Sequence, residues 1–172
     1  MNHILVPIGS NENASNTLQY AIDFAKELNA EVFVFRAYKM LSKAGTLINV
    51  NDILERETNL YLKSIISNVD TKGVSVKMIS AKGGTIESIH SVKSELGVDL
   101  IVVGPRSNSI KEEVFLGSTS GSIVKQTDIP VLIVPENYKF NPFKVVLTAF
   151  KSGRLDQPGV LTPLQLIKKF FN

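Results

Sequence analysis

The first 135 residues alternate between short apolar runs and longer amphipathic segments. Most of the apolar runs are nearly uninterrupted, which is typical of strands buried on both faces of a parallel sheet, while the third run alternates and is expected near an edge. This alternation predicts an α/β fold, a three-layer doubly wound parallel sheet with helices on both faces. The predicted strands are His3–Ile8, Glu31–Tyr38, Val74–Ile79, Asp99–Gly104 and Pro130–Val134.

Capping and stop signals delimit the helices between these strands. Asn29 is expected to end the first helix, and Gly97 the third, because asparagine and glycine tolerate the left-handed conformation found just after a helix. The second, third and fourth helices are predicted at Asp52–Val69, Thr85–Leu96 and Ser118–Gln126. The predicted caps are Asn13 or Ser15, Asn51 or Asp52, and Thr85.

The C-terminal tail does not complete another strand–helix cycle. After a linker at Asn141-Pro142, Lys144–Phe150 is predicted to be a strand and Leu161–Phe171 a helix. One strand and one helix cannot form a core alone. The segment must therefore dock on the preceding domain, pair with another chain or begin a second domain. The tail is also rich in phenylalanine, which favours either a packed hydrophobic face or an interface.

Composition narrows the possible functions. The chain has 172 residues, a net charge of +3 and interspersed Lys and Glu, so we expect no nucleic-acid partner. The absence of cysteine excludes disulfides, thiolate metal sites and thiol nucleophiles. No segment approaches the ~18 apolar residues of a membrane helix. The N-terminus also lacks the regions of a signal peptide, so we expect a cytoplasmic protein without a membrane partner.

The segment from Asp99 to Pro135 is the main candidate for chemistry. In it, a buried strand is followed by a polar loop and a helix start. Free backbone N–H groups and the helix dipole make such a helix start a place where an α/β protein can bind phosphate. The hydroxyls of Ser118, Thr119 and Ser120 would add donors.

Metal binding and catalysis find little support in the sequence. His3 and His90 are far apart and lack clustered carboxylates, so we expect no metal site. No Gly-x-Ser-x-Gly elbow surrounds Ser118, and no His–acid pair can be placed beside it. We therefore predict no catalytic residue.

Four motifs in a fixed order resemble the universal stress protein family. They are Ile4–Ile8, Asp99–Gly104, Phe115–Ser120 and Pro130–Pro135. The resemblance covers residues 2–136 and defines a domain at 1–137. The extension at 138–172 is similar to the first strand and helix of a second such domain, as found in tandem members of the family.

The resemblance implies a Rossmann-like sheet of the adenine nucleotide alpha hydrolase type, with five strands in the order 3-2-1-4-5. It also implies dimers that often pair through the last strand. We therefore expect a homodimer through Pro130–Val134, the C-terminal tail, or both. One branch of the family binds ATP and another does not.

The ATP-binding branch carries a Gly-x₂-Gly-x₉-Gly-(Ser/Thr) motif, which this chain matches in part. Gly104 stands at the first position, and Gly117-Ser118 stands at the last with the spacing of the family. Ser107 replaces the middle glycine, and strain there would be on the order of 1 kcal/mol if its φ is positive. Ser107→Gly should therefore tighten binding at a weakened site and leave an abandoned one unchanged.

Three further positions affect the expected strength of the site. Gly9 stands where the ATP-binding branch has an acidic residue that helps to hold the nucleotide. Pro105 removes one amide donor from the loop, and Arg106 could offset this loss by a charge-assisted contact with phosphate. The loop thus keeps hydrogen-bond donors for a phosphate but fits the nucleotide less closely than in the ATP-binding branch.

Candidate nucleotide-binding residues come from the ends of three strands, from the loop and from the start of the fourth helix. They are Pro7, Ile8, Gly9, Ser10, Ala37, Tyr38, Gly104, Arg106, Ser107, Gly117, Ser118, Thr119 and Ser120. ATP or AMP, with Mg²⁺, is the expected ligand of a working site, and no cofactor is expected otherwise.

The resemblance leads to three functional hypotheses. The first is a dimeric stress-response protein with a weak or degenerate ATP/AMP site and no evident catalysis. The second is a nucleotide-free interaction module that acts through its dimer surface and its tail. A slow ATPase or autophosphorylating protein ranks last, because the sequence offers no evident general base or metal ligand.

Overall fold

The computed structural model describes residues 1–10, 13–39, 50–105, 118–149 and 161–171. The strands are β1 (His3–Pro7), β2 (Glu31–Tyr38), β3 (Val76–Lys82), β4 (Leu100–Val103) and β5 (Val131–Ile133). The helices are α1 (Ala14–Leu28), α2 (Val50–Ser67), α3 (Thr85–Leu96), α4 (Ser118–Gln126) and α5 (Thr162–Ile167), followed by a 3₁₀ turn at Lys168–Phe171. The strands form one parallel sheet in the order β3-β2-β1-β4-β5, which confirms the predicted fold.

Alternate side chains of the central strands supply two hydrophobic clusters, one on each face of the sheet. On β1, Ile4 and Val6 pack with residues of α1 and α2, whereas Leu5 belongs to the opposite cluster. That opposite cluster includes Ile89 of α3 and Ile123 of α4. Because successive strand residues point to opposite faces, the apolar runs need helices on both sides.

The sheet order places a crevice beside β1. This strand pairs with β2 on one side and with β4 on the other, so the connections that follow β1 and β4 lead away from each other. Open parallel sheets bind ligands at such a switch point, outside the carboxyl ends of the strands. A ligand site is therefore expected at the segments that follow Pro7 and Val103.

Several predicted boundaries are confirmed. β1 ends at Pro7, where the missing amide donor does not interrupt a strand. Asn29 and Gly97 end α1 and α3 in the left-handed conformation, with φ of 54° and 64°. β2 and α4 have their predicted bounds, and β3 lies at an edge of the sheet.

Two of the predicted helix caps are wrong. α2 already begins at Val50, so Asn51 and Asp52 lie within its first turn. A carboxylate there favours the positive end of the helix dipole without being a cap. Gly84 is the cap residue of α3 in an extended conformation, and its carbonyl accepts the first helical hydrogen bond from Ser88. Thr85 is therefore the first helical residue and does not cap the helix.

The predicted tail strand at Lys144–Phe150 is also wrong within the described residues, because 144–149 form no strand. The side chains of Val145 and Leu147 are 86% and 96% exposed. An apolar run without a neighbouring strand has no partner for its backbone hydrogen bonds. The α-helical part of the tail, α5, is shorter than predicted.

No helix in the described ranges has the length and apolarity needed to span a bilayer.

The tail packs on α1 through a cluster of aromatic rings. Phe24 of α1 is fully buried, and its ring centroid lies 5.8 Å from that of Phe140, 6.0 Å from Phe143 and 5.4 Å from Phe170. The ring of Phe140 also meets Tyr20 at 5.4 Å. Of the three alternatives for the tail, docking on the preceding domain is the one that the described residues show. The suggested relation of 138–172 to a second domain stays a prediction.

The same cluster predicts a loss of stability at alkaline pH. Burial, with a smaller contribution from Tyr138, raises the pKa of Tyr20 from 10.0 to about 12. Since the unfolded chain loses this proton near pH 10, the stabilisation is complete below that pH and is lost as pH rises through the folded-state pKa. We expect a loss on the order of 2 kcal/mol in the free energy of unfolding.

Urea unfolding of the protein and of Tyr20→Phe at several pH values between 9 and 12 measures this slope. The variant should show a flatter dependence on pH. Equal slopes in the two proteins would contradict the assignment to Tyr20.

Candidate functional site

A cavity of about 390 Å³ opens at the carboxyl ends of β1, β2 and β4. Its volume lies toward the lower end of the range of about 300–1,000 Å³ usual for small-molecule sites. α1, α3 and α4 contribute residues from their first turns, and α4 also from its second. The cavity is lined by Pro7, Ile8, Gly9, Ser10, Ala14, Thr17, Phe35, Arg36, Ala37, Thr85, Val103, Gly104, Thr119, Ser120 and Ile123.

The described wall of the cavity favours anions. Arg36 is its one charged side chain, and no carboxylate lies in the described lining. Five hydroxyl groups are distributed around it, from Ser10, Thr17, Thr85, Thr119 and Ser120. Hydroxyl and guanidinium donors match the acceptor oxygens of phosphate or carboxylate groups.

Close packing between β4 and α1 explains the glycine at 104. A Cβ atom at Gly104 would collide with Oγ1 of Thr17 and would lie 3.3 Å from Nδ2 of Asn13. The Thr17 hydroxyl is fixed, since it donates to the Asn13 carbonyl at 3.1 Å. The first glycine of the ATP motif thus has a packing role in this chain, independent of any ligand.

The start of α4 forms the wall beside Gly104. The Oγ of Ser120 donates to the Gly104 carbonyl at 3.0 Å, which ties the helix to the end of β4. Thr119 is exposed and lines the cavity. The first backbone N–H groups of a helix have no acceptor within the helix, which makes a helix start a favourable position for an anion.

A polar network holds the opposite wall, formed by the ends of β1 and β2. The Nη2 group of Arg36 donates to Oγ of Ser10 at 2.7 Å, and its Cζ lies 4.3 Å from the ring centroid of Tyr61. The Tyr61 hydroxyl in turn donates to the Gly9 carbonyl at 2.7 Å. Hydrogen bonding and a cation–π contact therefore fix the guanidinium against the cavity.

Two nitrogen donors near the cavity lack partners. Nη1 of Arg36 and Nδ2 of Asn13 are buried and make no hydrogen bond among the described residues. Asn13 as a whole is only 7% exposed. An unpaired buried donor costs about 1–3 kcal/mol, so each is a place where an acceptor would be stabilising.

The structure brings most of the described candidate residues together. Tyr38 is the exception, since it does not line the cavity and its hydroxyl donates to Oε2 of Glu55 at 3.3 Å. Ser118 begins α4, and only its backbone is described. Arg106, Ser107 and Gly117 lie outside the described residues. The predicted residues that line the cavity are Pro7, Ile8, Gly9, Ser10, Ala37, Gly104, Thr119 and Ser120.

Sequence reasoning missed three polar residues of the wall. Arg36 could have been found as the one charged residue in the otherwise apolar second half of β2. Thr17 follows Asn13 by one helical turn, a spacing that places both on one side of α1. Thr85 was considered only as a cap, although it begins the helix after a neighbouring strand.

Metal ligands are not clustered in the described part of the chain. No group of three or more His, Asp or Glu side chains in these ranges could hold a metal ion. Nδ1 of His3 contacts the Leu96 carbonyl, and its Nε2 lies 3.9 Å from Oε2 of Glu31. His90 is exposed on α3. Neither histidine lines the cavity.

Known proteins resemble the chain in both sequence and fold. The sequence profile of the universal stress protein family matches residues 1–135. A universal stress protein of Methanocaldococcus jannaschii is 25% identical over 141 residues, which cover 79% of this chain and 83% of that protein.

Two solved structures show the same fold. A universal stress protein in complex with cAMP matches with a TM-score of 0.60 and 20% identity, over 77% of this chain and 96% of that one. The Archaeoglobus fulgidus universal stress protein in complex with dAMP matches with a TM-score of 0.54 and 19% identity, over 77% of this chain and 97% of that one.

Proposed function

The chain belongs to the universal stress protein family, and from that premise we propose that it is a stress-response protein that binds an adenine nucleotide weakly. The observation that carries the proposal is the cavity at the ends of β1, β2 and β4, whose described wall has five hydroxyls, one guanidinium and no carboxylate. In this proposal the protein is cytoplasmic, and binding is not followed by a chemical step.

The wall formed by β4 and α4 is suited to the phosphate of such a ligand. Gly104 lines this wall, Thr119 offers a hydroxyl, and the first turn of α4 offers backbone N–H groups. The cAMP and dAMP complexes of proteins with this fold support a monophosphate as the first ligand to test. ATP with Mg²⁺ remains the alternative from the family motif.

Three features argue that binding is weak. Ser107 stands at a motif position where the ATP-binding branch has glycine. Pro105 has no backbone N–H to donate, and Gly9 leaves the described lining without a carboxylate for ribose hydroxyls. Each loss removes a hydrogen bond or adds strain, so we expect AMP to bind with a Kd in the micromolar range or weaker, about −8 kcal/mol or less favourable.

Calorimetric titration with AMP, and separately with ATP and Mg²⁺, tests the proposal. Thr119→Val should weaken binding by about three- to tenfold, because it removes one hydroxyl donor from the wall. Ser122→Ala is the matched control, since Ser122 lies on the same helix and does not line the cavity. Absence of heat with either nucleotide at high micromolar concentration would overturn the proposal.

The proposal also includes a homodimer formed through the β5 edge of the sheet. β5 pairs only with β4 among the described strands, and its Ile133 side chain is 37% exposed. An open edge next to an exposed apolar side chain favours pairing with a second copy. Light scattering on the purified chain tests this, and the mass of a single chain would overturn it.

A nucleotide-free interaction module remains the second candidate. The observation that favours it is the tail segment with Val145 and Leu147, which exposes two large apolar side chains two residues apart. Such patches usually contact a partner. A titration without heat, together with a dimer that is lost in Leu147→Asp, would favour this candidate.

A further inference from the structure

Arg36 gives the cavity a second anion-binding wall, separate from the one at α4. It lines the cavity, yet none of the four ion pairs formed by the described residues includes it. Among the described residues, no carboxylate balances its positive charge at the cavity. Such a guanidinium is a natural partner for phosphate, with which it can form two parallel hydrogen bonds.

The guanidinium is positioned before any ligand arrives. Ser10 accepts from Nη2 at 2.7 Å, and the ring of Tyr61 lies under Cζ at 4.3 Å. Tyr61 is itself held by the Gly9 carbonyl. Since little side-chain freedom remains to be lost, more of the interaction with an anion becomes binding free energy.

The two anion-binding walls are built on strands that lie on opposite sides of β1. Arg36 belongs to β2, and Gly104 follows β4, with β1 between them. Neighbouring strands are separated by about 4.8 Å, so the two backbones are roughly 10 Å apart. A small ligand with two anionic groups could place one of them at each wall.

The chemistry of the wall identifies the position of the second group. A carboxylate at a nucleotide site accepts hydrogen bonds from ribose hydroxyls, whereas an arginine accommodates a phosphate attached to the ribose. The described lining has the arginine and lacks the carboxylate. Gly9, whose carbonyl accepts from the Tyr61 hydroxyl next to Arg36, adds no side chain that would oppose a phosphate there.

We propose that the cavity selects nucleotides that carry a phosphate on the ribose as well as one at the 5′ position. Arg36 and Ser10 bind the ribose phosphate, while Gly104, the unpaired Asn13 amide beside it and the start of α4 bind the 5′ phosphate. This inference rests on the proposed nucleotide site and names the class of nucleotide that it takes.

Calorimetry with adenosine 3′,5′-bisphosphate, adenosine 2′,5′-bisphosphate and AMP on the full chain tests the proposal. At least one bisphosphate should bind about tenfold more tightly than AMP. Arg36→Gln should abolish this preference. Arg36→Lys, which keeps the charge and loses the paired donors, should retain only part of it.

Lys77→Gln is the matched control for net charge. Lys77 of β3 pairs with Glu31 at the start of β2, and neither residue lines the cavity, so the variant should keep the full preference. Thermal unfolding of each variant shows whether it is folded.

The outcomes separate this inference from the proposed function. If AMP binds and neither bisphosphate is preferred, or if Arg36→Gln keeps the preference, the inference is overturned and the nucleotide site stands. If the wild-type protein binds neither AMP nor a bisphosphate, both are overturned. Equal loss of preference in Lys77→Gln would assign the effect to overall charge and would also overturn the role of Arg36.

Discussion

Gly104→Val is expected to lower the free energy of unfolding by about 1–3 kcal/mol and to abolish measurable AMP binding. The valine side chain would occupy the space of the Thr17 hydroxyl and press on the amide of Asn13. Both neighbours are buried, at 3% and 7% exposure, so neither can move into solvent. Overpacking of this kind usually costs 1–3 kcal/mol, and the displaced β4–α1 contact forms part of the cavity wall.

Urea unfolding and calorimetry on the same preparation measure both effects. Gly84→Ala is the control, because its Cβ would meet only the carboxylate end of the Glu87 side chain, which is exposed and can turn away. Its cost should stay below about 1 kcal/mol, the size of a cap effect. A Gly104→Val protein with wild-type stability and affinity would show that α1 and β4 do not pack as described.

Phe24→Ala is expected to be the more destabilising change, by about 3–5 kcal/mol. The Phe24 side chain is fully buried between the sheet and the tail, and three aromatic rings of the tail contact it. The substitution removes the ring and leaves a cavity under Phe140, Phe143 and Phe170. Denaturant unfolding followed by circular dichroism measures the change.

Leu147→Ala provides the comparison within the tail. Its side chain is 96% exposed, so its truncation should change the free energy of unfolding by less than about 0.5 kcal/mol. If Phe24→Ala and Leu147→Ala had equal effects, the aromatic cluster would not be the contact that holds the tail.

The sequence was sufficient to predict the sheet because its local and long-range signals agree. Buried strands such as Leu100–Val103 have apolar side chains for both faces, and Asn29 and Gly97 end helices in the conformation that their residue types favour. The strand order came from the family resemblance. Periodicity alone gives alternation of strands and helices and does not specify which strands are neighbours.

The cavity was predictable only in part, because its wall combines residues that are distant in sequence. The segments after β1 and β4 were found from turn and motif signals. Arg36 was missed, since nothing in the strand pattern shows that its guanidinium meets Ser10 and Tyr61. Tyr38 was included for its place at the end of β2, yet its hydroxyl turns to Glu55.

The tail shows how tertiary context overrides a local pattern. The apolar run around Val145 and Leu147 has the composition of a strand, but the described residues provide no strand beside it. The nearby Phe140 and Phe143 instead pack on the ring of Phe24 in α1. A cluster of aromatic side chains predicts burial without predicting the surface that buries it.

Helix α1 carries both the cavity wall and the docking surface of the tail. Thr17 faces the cavity, and Phe24 lies about 10 Å further along the same rigid helix, beneath the aromatic rings of the tail. If filling the cavity tightens the docking of the tail, thermodynamic reciprocity requires that the ligand binds more tightly when the tail is docked and more weakly when the tail is displaced.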